Sequence, residues 1–452
     1  MVLTRALTVL LMALIVVPVG LVNAQVGSFE VLIVLPSNIV DVAVSPDGRF
    51  VAAVNASMLM YFSVATRSLQ WTFTPASAGL WSVMDILSVR ISADGECVVI
   101  GYGNNLGEGG ISFFKQCTGR TGTDQPPTWT NWFLKQHGRI ERRSMDISDD
   151  GETVAVAGTG DTVYYFSRCV SASRAAQATG LFNWTFGYVP NIQELLCLDM
   201  VPSGRLVASG GYCINGTVYV VYLDNLTLNH LLWHKAGPEN GTVNDIAVSN
   251  DGYGLAAAIR SDGPQIFTGV VYYEDANQAS VPASIWKSGE NSETDPSVAM
   301  SGDGNLVACG TYSAVPATLF HWSGARAKPS GTATADWTLD YEVLDADMSG
   351  DGSVIAILTR EGESEWFLRV LDGAGNERAN YALDSEGEVV SMSGDGQIIG
   401  LASATENTLV VARFRATVGG EILETTLLAQ AVALLLAMAV VTSVVLLRRK
   451  KF

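Results

Sequence analysis

Histidine is nearly missing from this chain. There are four in 452 residues, His137, His230, His234 and His321. His230 and His234 are four apart, which on an extended strand separates them by roughly 13 Å, too far for a shared metal. No two cysteines are neighbours, and none of the six has zinc-knuckle spacing or a nearby histidine, so no metal ligand set is expected. Charge is sparse as well, at 16% Asp, Glu, Lys and Arg, and the basic share is small, 27 Lys and Arg against 45 Asp and Glu. With Arg5 and the basic residues at 448–451 set aside, the remainder carries a net charge of about −23, which excludes nucleic acid and anionic lipid surfaces as partners. No Gly-x-Ser-x-Gly lies in a strand-turn-helix setting. No catalytic residue and no cofactor is expected from these residues.

What the chain has in abundance is a repeat. An apolar stretch running into Ser-x-Asp-Gly, or a close variant of it, recurs eight times, ending at Gly48, Gly95, Gly151, Gly204, Gly252, Gly304, Gly352 and Gly396. The intervals are 47, 56, 53, 48, 52, 48 and 44 residues, the period of a four-stranded propeller blade. Asp-Gly between apolar runs is a hairpin corner, because Gly takes positive φ at no steric cost and Asp bonds its own backbone two residues on. The runs that follow, such as 154–157, 255–259 and 354–358, are continuously apolar, as strands covered on both faces must be. An aromatic marks the outer strand of seven units: Trp71, Trp132, Trp184, Trp233, Trp286, Trp337 and Tyr381. The eighth unit lacks a fourth strand, and 29–35 is free to supply it and so remove an exposed sheet edge. An all-β, eight-bladed β-propeller over 25–415 is therefore predicted, with seven blades as the alternative if the long second interval hides irregular pairing.

The Ser-x-Asp-Gly corners resemble those of WD40-like repeats, and the trailing tryptophans are similar to the docking tryptophans of quinoprotein-like (pyrroloquinoline quinone repeat) eight-bladed propellers. The resemblance implies an architecture and little about activity. Trp-Asp dipeptides and a regular Gly-His are absent, as are the adjacent cysteines that typically lie against the quinone, so no cofactor is carried over.

Residues 1–24, with Arg5, an apolar run from Ala6 to Val17 and Val22-Asn23-Ala24, read as a cleaved secretory signal peptide. A linker at 416–425 leads to 426–447, uncharged and at 1.5 Å per residue long enough for roughly 30 Å of hydrocarbon. The basic tail 448–452 then belongs on the cytoplasmic side. A single-pass cell-membrane protein with its propeller outside is expected. Outside the cell the six cysteines allow disulfides: Cys97 with Cys117 across a hairpin, and Cys169 with Cys213 or Cys197 between blades, leaving Cys309 as a small buried hydrophobe. Asn55, Asn183, Asn215, Asn225 and Asn240 head glycosylation sequons.

The carboxylate groups Asp146, Asp149, Asp150 and Asp345, Asp347, Asp351 fall at the repeat corners and are expected to be structural. Function is expected in the irregular loops 104–110, 118–130, 171–182 and 322–336. The reading is a binding or assembly module whose partner is an envelope or extracellular protein or glycan. The alternatives are a propeller enzyme, a quinone-dependent oxidoreductase or a hydrolase with an axial site, and a structural envelope component. Carboxylates or histidines converging on the central channel would favour the enzyme; a channel of Ser, Ala and Val would count against it.

Overall fold

The computed structural model describes residues 28–415 except 37, 76–83, 105–107, 134–139, 141, 159–161, 172–181, 187–191, 214–217, 227–230, 237–240, 262–266, 279–283, 291–295, 312–317, 330, 363–364, 384–386 and 404–407. The expected signal peptide, linker, membrane span and tail lie outside these residues. Among the described residues no helix is long and apolar enough to cross a membrane.

Phe29–Arg415 forms a ring of eight sheets. Blade 1 is Ile39–Val44, Phe50–Asn55, Met58–Ser63 and Ser68–Phe73, counted from the innermost strand outward. The inner strands of blades 2 to 7 are Asp85–Ile91, Met145–Ile147, Ile192–Met200, Gly241–Val248, Ser297–Met300 and Glu342–Met348. Blade 8 is Val389–Met392, Ile398–Ser403, Thr408–Arg415 and, outermost, Ser28–Pro36 from the other end of the chain. Each inner strand packs on the next around the axis, and that of blade 8 on that of blade 1. Eight blades and closure by the N-terminal strand are as expected. The closing strand is held by Glu30, which ion-pairs with Arg415 at 2.7 Å and with Arg67, and by Phe29, whose ring lies 6.1 Å from Phe414 and 6.3 Å from Tyr381.

The corners repeat down to single hydrogen bonds. In blade 1 the Ser45 hydroxyl donates to Asp47 at 2.7 Å and accepts the Phe50 N–H, Asp47 accepts the Arg49 N–H, and Gly48 sits at φ +70°. Blades 2, 3, 5, 6, 7 and 8 repeat the serine-aspartate bond; blade 4 has Val201 and Ser203 in those places. The corners also join one another: the N–H of Gly394 donates to Pro46, Gly350 to Gly394, Gly302 to Gly350, Asn250 to Gly302, Asp149 to Pro202, Ala93 to Asp149 and Asp47 to Ala93. Among the described residues this belt of backbone bonds has its gap between blades 4 and 5, at Pro202.

Farther out, tyrosines that sequence patterning did not single out tie blade to blade. The hydroxyls of Tyr61, Tyr165, Tyr222 and Tyr272 donate to the carbonyls of Gly95, Gly204, Gly252 and Gly304, each on the following blade's corner. At the rim the indoles of Trp71, Trp233 and Trp337 donate to Cys117, Ala276 and Gly373 of the following blade, as the docking pattern requires. In blade 2 that role belongs to Trp129 rather than Trp132: it stacks on Phe113 at 5.1 Å and donates to Cys169. The side chains of Trp132, Trp184 and Trp286 lie outside the description.

Cys97, Cys117, Cys169, Cys197 and Cys309 are free, buried thiols, which corrects the expected bridges. Cys97 lies opposite Lys115 in the ladder and packs toward blade 3, whereas Cys117, two residues further, packs toward blade 1, so blade 2 stands between the two sulfurs. Cys169 faces the junction of blades 2 and 3 and Cys197 that of blades 4 and 5. The side chain of Cys213 is outside the description, while Cys309 is buried among apolar side chains as expected.

Two of the long loops turn out to be edge covers. In the blade 2 loop, Gly122 bridges Trp71 in parallel, exchanging bonds with Gln70 and Thr72 on the outer strand of blade 1. In the blade 6 loop, Gly331–Thr332 pairs in parallel with Trp286 and Lys287 on the outer strand of blade 5. The second puts a short fifth strand, and the first a single bridge, over an otherwise open edge.

The corner glycines give a direct test. A Cβ on Gly352 would sit 2.1 Å from Leu306 Cδ1 at φ +70°, whereas one on Gly119 would meet nothing within 4 Å. Gly352→Ala is expected to cost about 1–3 kcal/mol and Gly119→Ala less than about 0.5 kcal/mol in urea unfolding; equal midpoints for the two variants would overturn this account of the corners.

Candidate functional site: the central channel and its rim

An inner strand is a sheet edge, and along a narrow axis no further strand can pair with it. Its axis-facing N–H groups therefore need side-chain acceptors. In this chain they come from positions two and four before the first residue of the corner, which a strand's period of two places on the same face. Asp41 accepts its own neighbour Val42 N–H at 3.0 Å and Val89 N–H of blade 2 at 2.9 Å. Asp245 does the same for Ile246 and, in blade 6, Val298. One rung nearer the corners, Asp146 takes Ile147 and Met200, Asp199 takes Met200 and Val248, and Asp347 takes Met348 and Met392. Asp345 accepts Val390 N–H, and the hydroxyl of Ser391 accepts Val44 N–H, closing blade 8 on blade 1. Asp146, Asp345 and Asp347 are thus channel residues, not corner residues; only Asp150 and Asp351 hold corner hydroxyls, and Asp149 lies in the corner belt.

The blade 3 approach strap supplies the counter-charge. Arg143 reaches across the axis to Asp345 at 2.6 Å and Asp245 at 3.2 Å, and Arg142 to Glu388 at 2.6 Å. Arg90 pairs with Asp41 at 3.0 Å and donates to the Arg142 carbonyl. Together they line the channel at the end where the inner strands begin. Burial would lower the Arg143 guanidinium, but Asp245 and Asp345 hold it above its ordinary value. Inside lies a cavity of about 220 Å³ walled by Asp41, Arg90, Arg143, Asp345, Asp347 and Ser391 among others. Burial pushes Asp146 up to about 6 and, with the adjacent Asp146 charge, Asp199 well above the carboxylate range. Desolvation, with the charges of Asp345 and Asp245, pushes the half-buried Asp347 up to about 7 against the backbone N–H groups of Met348 and Met392, which lower it. Among the described residues no group of His, Cys, Asp and Glu has metal-holding geometry.

Around the opposite mouth stand the corner aspartates. Asp47, Asp94, Asp150, Asp251, Asp303, Asp351 and Asp395 are exposed, each between a buried serine and a buried glycine, and Asp149 stands beside Asp150. Arg49 pairs with Asp47 and Arg326 with Asp251. The N–H and hydroxyl of Ser353 and the hydroxyl of Ser349 hold Asp351 below its ordinary value.

His321 is buried and stacked on Trp337 at 4.5 Å, and burial lowers its imidazole to about 4. It lies in the third strand of blade 6, away from the channel. His234 is in the outer strand of blade 4, where its side chain is exposed; His137 and His230 lie outside the description. Asn55 sits in a hairpin turn, accepting the Ser57 N–H, and Asn225 follows the third strand of blade 4; Asn183 falls in an outer strand, its side chain outside the description, as are Asn215 and Asn240 altogether.

No protein-family model matches the chain, nor does any curated protein. Among solved structures the chain is similar to Raptor of Chaetomium thermophilum, with a TM-score of 0.52 at 10% identity over 86% of this chain. It spans 29% of that protein's length, and the likeness is one of fold.

Two outcomes are expected. Arg143→Met leaves Asp245 and Asp345 facing each other without a cation and should cost about 3 kcal/mol in urea unfolding. The second concerns pH. The folded value of Asp347 lies above its unfolded value of 3.8, so its contribution to stability is whole below about 4 and is lost as pH rises toward 7. The stability difference between wild type and Asp347→Asn should therefore shift in favour of the variant across that window; a difference constant from pH 4 to pH 7 would contradict the assignment.

Proposed function

We propose that the chain is a rigid protein-binding module that presents the corner rim to a basic partner at the cell surface. The observation that carries this reading is the ring of exposed aspartates, fixed in place at seven of eight corners by serine, strand and neighbouring-blade hydrogen bonds. A pre-ordered charged rim loses little freedom on docking and steers an oppositely charged partner. The apolar segment 426–447 would anchor the module, with 1–24 directing its export, and the partner would be an envelope or extracellular protein. The sequons support an exterior location by their number, while the free thiols give that location no support.

A second reading, an axial site in a propeller enzyme, draws on the convergence of carboxylates on the channel. Against it, each of those carboxylates bonds backbone N–H groups of its own or a neighbouring blade, and that need alone accounts for their position.

Full-length tagged protein captured from gently solubilised membranes should retain a basic partner at 50 mM salt and release most of it at 500 mM. Replacing Asp303, Asp351 and Asp395 by Asn keeps an acceptor at each corner and should reduce capture at least tenfold with a small change in melting temperature. Capture that survives both salt and the triple substitution would refute the rim as the docking face.

A further inference from the structure

We propose that the channel cavity is a binding site for a small primary amine, whose ammonium group pairs with Asp347. The site is separate from the rim and does not rest on the docking proposal.

The cavity of about 220 Å³ has roughly the volume of seven waters, room for a molecule of amino-acid size. Its walls are of mixed charge, and the pairing among them is uneven. Asp41 has Arg90 and Asp345 has Arg143, each within 3.0 Å. Among the described residues Asp347 has only the N–H groups of Met348 and Met392, both at 2.8 Å. Two N–H donors occupy two of about four lone-pair sites on a carboxylate, which leaves acceptor capacity on both oxygens. Ser391 lines the same cavity, and its oxygen accepts Val44 N–H while keeping a second lone pair as an acceptor. Ala43, Val298, Val389 and Val390 supply apolar wall.

These features select among cations. A divalent metal needs several carboxylate or imidazole ligands converging on one point, and among the described residues no such group exists. An ammonium needs one carboxylate and one or two neutral acceptors, which Asp347 and Ser391 provide. A second cationic end would run toward Arg142 and Arg143, so a single amine with a neutral or anionic far end fits better than a diamine.

The test uses ethanolamine as probe, with ethylene glycol as its uncharged counterpart and salt matched by sodium chloride, on full-length detergent-solubilised protein at pH 8. Ethanolamine is expected to raise the melting temperature saturably, and ethylene glycol to leave it unchanged. Asp347→Asn should weaken the apparent affinity at least tenfold. Because Asp347 also joins blades 7 and 8, a second variant, Ala43→Leu, fills the cavity while keeping every carboxylate, and it too should abolish the shift. An absent or unsaturable shift, an equal shift with ethylene glycol, or a shift retained in either variant overturns the proposal.

Discussion

The unpaired edge of each inner strand is the constraint on which this molecule is built. Eight sheets meeting on an axis leave eight rows of N–H groups with no strand to receive them. A bare row would have to be hydrated in a space too narrow to hydrate it well. The chain answers with carboxylates, which accept two N–H groups at once and can therefore bond their own blade and the next. A bond from backbone N–H to carboxylate contributes about 1.5–3 kcal/mol, more than a neutral pair. Repeated around the ring, such bonds make the position of every blade depend on its neighbour. Three of these carboxylates also take cations, Asp41 from Arg90 and Asp245 and Asp345 from Arg143.

The same economy of one group serving two blades recurs at larger radius. Corner backbones exchange N–H and C=O in a belt, tyrosine hydroxyls reach the next corner's glycine, and indoles reach the next blade's third-strand turn. These layers differ in chemistry, which is why the loss of one link at Pro202 is tolerated: at that junction Asp199 still holds Val248, Tyr222 still holds Gly252 and Trp233 still holds Ala276.

Much of this was legible in the sequence. The period and the Asp-Gly corners give blade number, blade boundaries and the closing strand, because turn chemistry is local and a glycine at positive φ cannot be replaced cheaply. The channel was not read, although its signal is present: Asp41, Asp146, Asp199, Asp245, Asp345 and Asp347 stand two or four residues before the corner's first residue, on the face opposite the blade interior. Asp146, Asp345 and Asp347 read as part of the corner because they adjoin it in sequence. Distances along the chain also misled for Cys97 and Cys117, since adjacency in a hairpin does not say which face of the blade each sulfur takes. Arg143 was beyond reach altogether, its partners being about 100 and 200 residues away and joined to it only by ring closure.

The two edge covers are four blades apart, and they share their approach. Each follows a short 3-10 turn, Cys117–Gly119 and Ala325–Ala327, entered through a left-handed residue, Gln116 at φ 57° and Gly324 at φ 60°. Each then bridges a tryptophan, Trp71 or Trp286, on the preceding blade. Asp41 and Asp245 stand four blades apart in the same relation, as do Asp146 and Asp347. A half-turn about the axis thus relates these particular features of blades 1 to 4 to those of blades 5 to 8. The arginines break that correspondence, since Arg90, Arg142 and Arg143 all come from one half: Arg142 and Arg143 reach carboxylates of the other half, while Arg90 pairs within its own.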